Sequence, residues 1–190
     1  MQANPIMEFF DYEFNVEVDD DKVKEFQKYP DLIEKIHLWV RNPDPNLEPY
    51  LKKMAAIVDS IYTFPRFNIY RGINTKKNGN NQLGITEPRR LAYAKPGYKF
   101  RHVCRRPTSF SFDIDIPRYF GDVIVKTRLP SKNRLVITDE LMYCVFLYRK
   151  SHKKLGTNFA LTQKEIVVYN NEPLKLEVVE TGNVQKSKFK

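Results

Sequence analysis

Hydrophobic positions in the first third of the chain recur at steps of three and four residues. Over residues 20–41 this spacing predicts helical segments with one apolar face, and Pro30 marks a break or a new start within them. A further helix is predicted over residues 47–62, where the apolar positions again share a face. Residues 1–64 are therefore expected to form a helical region. The apolar positions of its two predicted parts are Val23, Phe26, Leu32, Ile33, Ile36, Trp39, Val40, Leu51, Met54, Ala55, Val58 and Ile61.

After Pro65 the pattern changes to short runs of β-branched and aromatic residues, which are typical of antiparallel strands. Residues 139–150 are compatible with a helix or a strand, whereas residues 76–84 are rich in Gly and Asn and are predicted to form a mobile surface loop. The polar, basic residues 181–190 are expected to form a flexible tail. Strands are predicted at residues 67–73, 108–112, 122–129, 134–137, 165–170 and 174–179.

The composition predicts one folded domain over residues 1–180, and the helical first third followed by strands makes its class α+β. Of the 190 residues, 42% are hydrophobic and 13% are aromatic, which is enough for a packed core and too many for a disordered chain. No apolar run approaches the roughly 18 residues of a membrane span, and the N-terminus is acidic, unlike a signal peptide. We therefore expect a soluble, cytoplasmic protein with no membrane partner.

Charge divides the chain more sharply than its net value of +9 indicates. Residues 1–60 hold seven basic and 13 acidic residues, whereas residues 61–190 hold 25 basic and ten acidic ones. Within residues 66–106 there are eleven basic residues against the single acid Glu87. This concentration favours an anionic ligand that carries phosphates, the alternative being a solvated basic surface that keeps the protein in solution.

The sequence lacks the motifs of several common nucleotide-binding, hydrolytic and metal-binding sites. A P-loop, a GxGxxG turn, an HExxH helix, a GxSxG elbow and an EF-hand loop are all missing. The two cysteines, Cys104 and Cys144, are too few for a disulfide framework and fit a reducing compartment. Together with His102 and His152 they have no standard metal-site spacing, so no metal is expected.

Two short motifs in the predicted strands carry polar groups suited to a ligand. The first is Arg71 near the end of an apolar strand, with Gly72 directly after it so that the backbone can turn and leave room for something close. The second is Ser109-Phe110-Ser111, where strand alternation places both hydroxyls on one face and Phe110 on the other. Each has an ordinary alternative, an edge-strand arginine and a pair of strand hydroxyls.

A third motif, Gln163-Lys164-Glu165, opens the apolar run Ile-Val-Val-Tyr. Gln163 and Glu165 share a face at the mouth of this strand, while Lys164 points away. On its own this motif is also compatible with nothing more than a polar strand start.

In the order Arg71, Ser109-x-Ser111 and Gln163-x-Glu165, the motifs resemble those of mono-ADP-ribosyltransferases of the Arg-Ser-Glu class. The resemblance covers about residues 66–180 and is greatest to the small enzymes of tailed bacteriophages. The Gln-x-Glu form also occurs in clostridial exoenzymes that modify Rho and in guanine-modifying toxins. Phe110 departs from the pattern, because Thr is common at the middle of the serine motif.

The resemblance implies a split, mainly antiparallel β-sandwich with NAD as co-substrate and no metal. Glu165 would bind the nicotinamide ribose and stabilise the oxocarbenium-like centre, and Ser109 would fix the Glu165 rotamer. Arg71 would grip the NAD phosphates, Gly72 would admit the ligand, and Ser111 would complete the serine motif of the cofactor site. Transfer of ADP-ribose to a host protein, RNA or DNA follows, in the host cytoplasm if a phage encodes the enzyme.

Gln163 and the preceding loop bear on the acceptor. In the family, Glu at the Gln163 position accompanies arginine modification; a neutral amide instead suits an Asn, Gln or Thr side chain or a nucleobase edge. The loop 155–162 corresponds to the acceptor-recognition loop, where Phe159 is expected to contact the acceptor or to plug the loop into the core. Phe110, Phe159 and Tyr169 are the candidates for stacking on nicotinamide, with core packing the first expectation for Phe110.

Two other functions remain open from the sequence. One is a non-catalytic basic module that binds nucleic acid and matches the three motifs by chance. The other is an NAD glycohydrolase, which would release nicotinamide without labelling any acceptor. Turnover of NAD separates the first from the enzymes, and a labelled acceptor separates the second from a transferase.

Overall fold

The computed structural model of the protein describes residues 17–75, 91, 93–104, 106–152, 165–169 and 172–181. These residues form an α+β structure with four α-helices and a seven-stranded antiparallel sheet, in agreement with the predicted class. The chain divides into two compact units. The helical unit contains the described residues of 17–63 and 135–152, and the sheet unit those of 64–134 and 165–181.

The helical unit is built from helices α1 (Asp20–Gln27), α2 (Pro30–Arg41), α3 (Glu48–Ile61) and α4 (Asp139–Ser151). The break predicted at Pro30 is the first residue of α2, a position where the missing N–H costs nothing. The predicted helix over 47–62 is confirmed as α3. Among the described residues, no helix has the length and apolar composition required to cross a bilayer.

Residues 139–150, for which the sequence allowed a helix or a strand, lie in helix α4. Thr138 caps it, its side chain accepting a hydrogen bond from Leu141 N at 3.3 Å. Every residue from Glu140 to Val145 is buried. Because this run is buried all round, it has no polar face from which a helical period could be recognised.

The core of the helical unit comes from the apolar positions that the periodicity singled out. Phe26, Trp39 and Leu51 are at most 1% exposed, one from each of α1, α2 and α3. Side chains of this size each contribute about 1.5–3 kcal/mol on burial, so these faces hold the helices together.

The sheet contains β1 (Asn68–Ile73), β2 (Lys99–His102), β3 (Thr108–Ser111), β4 (Val123–Arg128), β5 (Arg134–Val136), β6 (Glu165–Val168) and β7 (Leu174–Thr181). Its strand order is β2-β7-β4-β1-β3-β6-β5. The six predicted strands are all present, but β2 was not predicted. Its sequence, Lys-Phe-Arg-His, has two charged residues in four and none that is β-branched.

The sheet narrows sharply between β1 and β3. Strand β1 pairs with β4 through six consecutive residues, whereas it pairs with β3 only at Tyr70 and Ser111. A sheet joined through one residue pair can splay, because few backbone hydrogen bonds hold its two parts in one surface. Arg71, Ser109 and Glu165 lie on the three strands around this narrow connection.

Candidate active site

Strands β1, β3 and β6 bring together three residues that are far apart in the sequence. Ser109 Oγ donates a hydrogen bond to Glu165 Oε1, 56 positions away along the chain. Arg71 Nη1 donates to the main-chain oxygen of Ser109, across 38 positions. Ser109 therefore contacts the guanidinium through its backbone and the carboxylate through its side chain.

The strand register explains why Ser109 meets Glu165. Glu165 is directly opposite Ser111 in the β3–β6 ladder, and Ser109 is directly opposite Val167. The hydrogen bond is therefore a diagonal contact between same-face neighbours, which long side chains can reach in a sheet. It requires Glu165 to begin the strand at this register, since a slip of one residue would turn the carboxylate to the other face.

The Glu165 carboxylate and the Arg71 guanidinium differ in their exposure to solvent. Glu165 is only 7% exposed, whereas Arg71 and Ser109 are partly exposed. Desolvation lowers the pKa of Arg71 to about 10, against the opposing pull of Cys104 and Glu165. Arg71 remains a cation at neutral pH and supplies the positive charge beside the buried acid.

Cys104 is a neighbour of Arg71 that the sequence did not indicate as part of a site. Burial raises the pKa of its thiol, against smaller opposing contributions from Thr108 and Arg71. The thiol is therefore neutral at physiological pH and lies near the guanidinium. No spacing rule would have found this contact, because Cys104 lies outside the three motifs.

Ser111 and Phe110 occupy the positions expected from strand alternation. Ser111 is 4% exposed, and its hydroxyl accepts a hydrogen bond from Asp113 N at 3.1 Å. Phe110 is 3% exposed and lies opposite Ile166 in the register, so it is a core residue. Tyr169 is also buried, with its hydroxyl donating to the main-chain oxygen of Arg134 at 3.2 Å.

Gly72 is required by close packing of the protein's own backbone. A Cβ atom at Gly72 would lie 2.2 Å from the carbonyl oxygen of Pro117, and one at Gly121 would lie 2.2 Å from Ile73 N. The short 3₁₀ helix Ile116–Tyr119 therefore sits directly on β1 beside Arg71. Pro117 takes the space that a side chain at Gly72 would fill. An approach of Gly72 to a ligand stays a prediction.

Asp122 and Thr75 hold the end of β1, a contact that the motifs did not predict. The Asp122 carboxylate accepts hydrogen bonds from Thr75 N at 2.7 Å and from Thr75 Oγ1 at 2.6 Å. Both residues are buried. This pair fixes the chain where it leaves β1, four residues after Arg71. Asp122 is the first residue of a predicted strand, so an acid at a strand start was its one sequence signal.

Several predicted features lie outside the described residues. These are Gln163, Phe159 with the loop 155–162, the loop 76–84, and the predicted tail 181–190 except Thr181, which ends β7. Among the residues described, no group of three or more His, Cys, Asp or Glu side chains could hold a metal ion. Cys104 belongs to the sheet unit and Cys144 to the helical unit, and both are buried free thiols.

Comparisons with protein-family models, with curated proteins and with solved structures give no match to this chain. The functional interpretation therefore depends on the arrangement of the side chains. A buried carboxylate held by a hydroxyl can stabilise a developing positive charge. A neighbouring guanidinium offers paired donors to phosphate oxygens. A ligand with phosphates at one end and a cationic reacting centre at the other suits this combination.

Proposed function

We propose that the protein is a mono-ADP-ribosyltransferase that transfers ADP-ribose from NAD to a macromolecular acceptor and releases nicotinamide. One observation carries the proposal: Ser109 joins Arg71 to Glu165, by its carbonyl oxygen on one side and its hydroxyl on the other. These are the residues whose order along the chain resembles the Arg-Ser-Glu class. The narrow connection of the sheet at Tyr70 and Ser111 is in keeping with the split β-sandwich of that class.

The proposed step breaks the bond between ribose C1′ and the nicotinamide nitrogen. The bonding electrons leave with the nitrogen, so nicotinamide departs as a neutral molecule and positive charge develops on the ribose. Glu165 stabilises that charge, as carboxylates do in glycosidic cleavage. A nucleophilic atom of the acceptor then forms the new bond to C1′ and loses its proton to water.

Ser109 acts as a positioning residue in this step. Its hydroxyl fixes one carboxylate oxygen of Glu165, so the charge is in place before the ribose becomes cationic. Preorganised charge of this kind needs no rearrangement during the reaction, and misplacement by about 1 Å can cost roughly 100-fold in rate.

Arg71 is assigned to the NAD diphosphate. A guanidinium has five N–H donors in a planar fork, and the bond from Nη1 to Ser109 fixes that fork beside the carboxylate. Ser111, two residues after Ser109 in β3, lies opposite Glu165. Its hydroxyl accepts a hydrogen bond from Asp113 N and so stabilises the end of the strand. Gly72 allows β1 to pack closely under Pro117, which sets the course of the strand at Arg71.

Gln163 and Phe159 are assigned to the acceptor. Gln163 precedes Glu165 by two residues and carries an amide that can donate and accept hydrogen bonds but cannot deprotonate a guanidinium. Modification of arginine is therefore not the expected reaction. Phe159 is assigned a contact with the acceptor from the preceding loop.

The test is incubation of the full chain with a cell extract and NAD labelled in its adenylate. Aliquots are then digested with protease or with nuclease, while nicotinamide release is measured separately. We expect label in the macromolecular fraction that one of the two digestions removes. Absence of both label and nicotinamide would overturn the proposal in favour of a non-catalytic module, and nicotinamide without label would replace transfer by NAD hydrolysis.

The Gln163→Ala variant tests whether Gln163 acts on the acceptor and not on the cleavage of NAD. It is expected to reduce labelling of the acceptor more than it reduces nicotinamide release in the absence of acceptor. Equal loss of both activities would contradict a role for Gln163 in acceptor choice.

A further inference from the structure

A single row of paired residues crosses six strands of the sheet and ends at Glu165. Residues directly opposite each other in adjacent antiparallel strands project from the same face of a sheet. The row therefore places basic side chains on the face that carries the candidate catalytic carboxylate. Arg71 follows Tyr70 in β1 and projects from the opposite face of that strand, from which its guanidinium reaches the main-chain oxygen of Ser109. The pairs of the row are Lys99↔Glu177, Glu177↔Lys126, Lys126↔Tyr70, Tyr70↔Ser111 and Ser111↔Glu165.

Further basic residues flank this row on the same face. Arg101 and Lys175 are a directly opposed pair two residues from Lys99 and Glu177, and Arg128 is two residues from Lys126. We call the set Lys99, Arg101, Lys126, Arg128 and Lys175 the basic face. Glu177 is the acid among them, 3.0 Å from the Lys126 ammonium and 3.9 Å from that of Lys99.

The row is far more exposed at its β2 end than at the candidate site. The Lys99 side chain is 77% exposed and that of Lys126 is 32% exposed, whereas Ser111 and Glu165 are 4% and 7% exposed. Lys126 and Glu165 are three strand spacings apart, roughly 14 Å at about 4.8 Å per strand. A ligand that lies on the open part of the row would therefore point one end toward Glu165.

The opposition of Arg101 and Lys175 is itself informative. Like charges directly opposite each other in a sheet are destabilising. Both side chains are exposed at the β2 edge of the sheet. An anion placed between them would remove the repulsion, and a chain of anions would do the same along the rest of the basic face.

We propose that the basic face binds the phosphate backbone of a nucleic acid, RNA or DNA, which is the acceptor of the transfer reaction. The role of the nucleic acid as acceptor rests on the proposed function, whereas its binding to the basic face does not. Its cations are distributed over three strands, which suits a flexible chain of phosphates that can follow the twist of the sheet. A flat bilayer would contact a twisted face over a small part of its area. The amide of Gln163 complements a nucleobase edge.

Binding is tested without NAD, on the full chain with fluorescein-labelled single strands of RNA and DNA of about 20 nucleotides. The face variant is Arg101→Gln/Arg128→Gln/Lys175→Gln, three exposed positions. The control variant is Lys24→Gln/Lys53→Gln/Lys150→Gln, three exposed positions of the helical unit with the same loss of charge. Polyglutamate and phosphatidylserine vesicles are the competing probes.

We expect the face variant to bind either strand about 100-fold more weakly at about 0.1 M salt, because each phosphate contact contributes on the order of fivefold. Its plot of log affinity against log salt should lose a slope of about 2, or roughly 0.7 per contact. The control variant should stay within about threefold of the wild type. The nucleic acid should raise the Tm of the wild type but not that of the face variant.

Equal weakening of the face and control variants would overturn the inference, as would face-dependent binding of polyglutamate or vesicles in place of nucleic acid. Nicotinamide release separates its failure from that of the proposed function. If the face binds nucleic acid but NAD is never cleaved, the transferase assignment fails and the binding face stands. If NAD is cleaved but binding ignores the face, only the inference fails.

Discussion

Each unit of the protein contains a buried glutamate that accepts a hydrogen bond from a hydroxyl, and the two differ in their surroundings. In the helical unit Glu140 accepts from the Tyr62 hydroxyl, and in the sheet unit Glu165 accepts from the Ser109 hydroxyl. The two acids are 8% and 7% exposed. Burial and a hydroxyl donor therefore do not distinguish a candidate catalytic acid from a structural one.

The difference is in how the negative charge is compensated. Glu140 lies in the first turn of α4, where the N-terminal end of the helix dipole favours a carboxylate. Burial and the bond to Glu140 raise the pKa of Tyr62 well above its usual value, so the phenol stays a neutral donor. Glu165 begins a strand, which has no comparable dipole, and its charge faces Arg71. A guanidinium can bind a phosphate ligand, whereas the N-terminal end of α4 already carries the protein's own carboxylates, Asp139 and Glu140.

The largest expected effect separates the two acids directly. Glu165→Gln should reduce ADP-ribose transfer by about 100-fold or more while NAD still binds, because the amide keeps the shape and removes the transition-state charge. Glu140→Gln, the matched control, should leave transfer unchanged. Rates of nicotinamide release and NAD affinities by calorimetry give the comparison. Equal rates for the wild type and Glu165→Gln would refute the assignment.

A smaller effect is expected from the hydroxyl donors of the two acids. Ser109→Ala removes the hydrogen bond to Glu165 but keeps the carbonyl that receives Arg71. Transfer should fall by about 10- to 100-fold through kcat, with little change in KM for NAD, as a misplaced carboxylate predicts. A change confined to KM would argue against a positioning role.

In the helical unit the corresponding loss should appear in stability instead of activity. Tyr62→Phe removes the donor to Glu140 and leaves a buried carboxylate with one partner fewer. We expect the free energy of unfolding to fall by about 1–3 kcal/mol, measured by urea denaturation, with transfer per folded molecule unchanged. Loss of transfer with unchanged stability would reverse the distinction between the two units.

The smallest effect concerns Glu180, a partly exposed acid that extends the comparison to the surface. Arg118 donates to both of its oxygens, one at 3.0 Å from Nε, and lowers the pKa of Glu180 below its ordinary value. A lowered pKa means that this contribution is present above the unfolded pKa of about 4.3 and is lost as pH falls through the folded value.

Glu180→Gln should therefore make the stability of the protein slightly less dependent on pH below about pH 4.3. Thermal unfolding of both proteins from pH 3 to 7 measures this difference. Curves of identical shape would show that the pair contributes nothing, as many surface ion pairs do.

The sequence predicted the helices and strands of this fold better than it predicted which strands pair with each other. Helical periodicity located α2 and α3, and Pro30 marked the start of α2. Strand β2 was not predicted because Lys99–His102 is short and charged, and it gains its place by pairing with β7. Backbone pairing with a partner strand is a tertiary effect that local propensity does not contain.

The candidate site was predicted as a set of motifs but not as a set of contacts. Arg71, Ser109 and Glu165 were singled out, whereas the bond from Arg71 to the backbone of Ser109 was not. Cys104 beside Arg71 carries no motif at all. Register between strands decides these contacts, and one sequence gives no direct information on register where turns are long.

The basic face illustrates the same limit. The sequence showed a basic stretch over residues 66–106, but it did not show that Lys126, Arg128 and Lys175 share a face with part of it. The alternation Lys-Thr-Arg over residues 126–128 and Lys-Phe-Arg over residues 99–101 was the available signal. Alternation assigns residues to the two sides of one strand, and only the pairing aligns those sides across strands.

The most direct measurement of the central claim is a crystal structure of the Glu165→Gln variant soaked with NAD. We predict that the diphosphate lies on the Arg71 guanidinium and that a hydroxyl of the nicotinamide ribose lies within hydrogen-bonding distance of residue 165. Intact NAD bound elsewhere on the chain, or a ligand that contacts residue 165 without Arg71, would contradict a single site built from Arg71, Ser109 and Glu165.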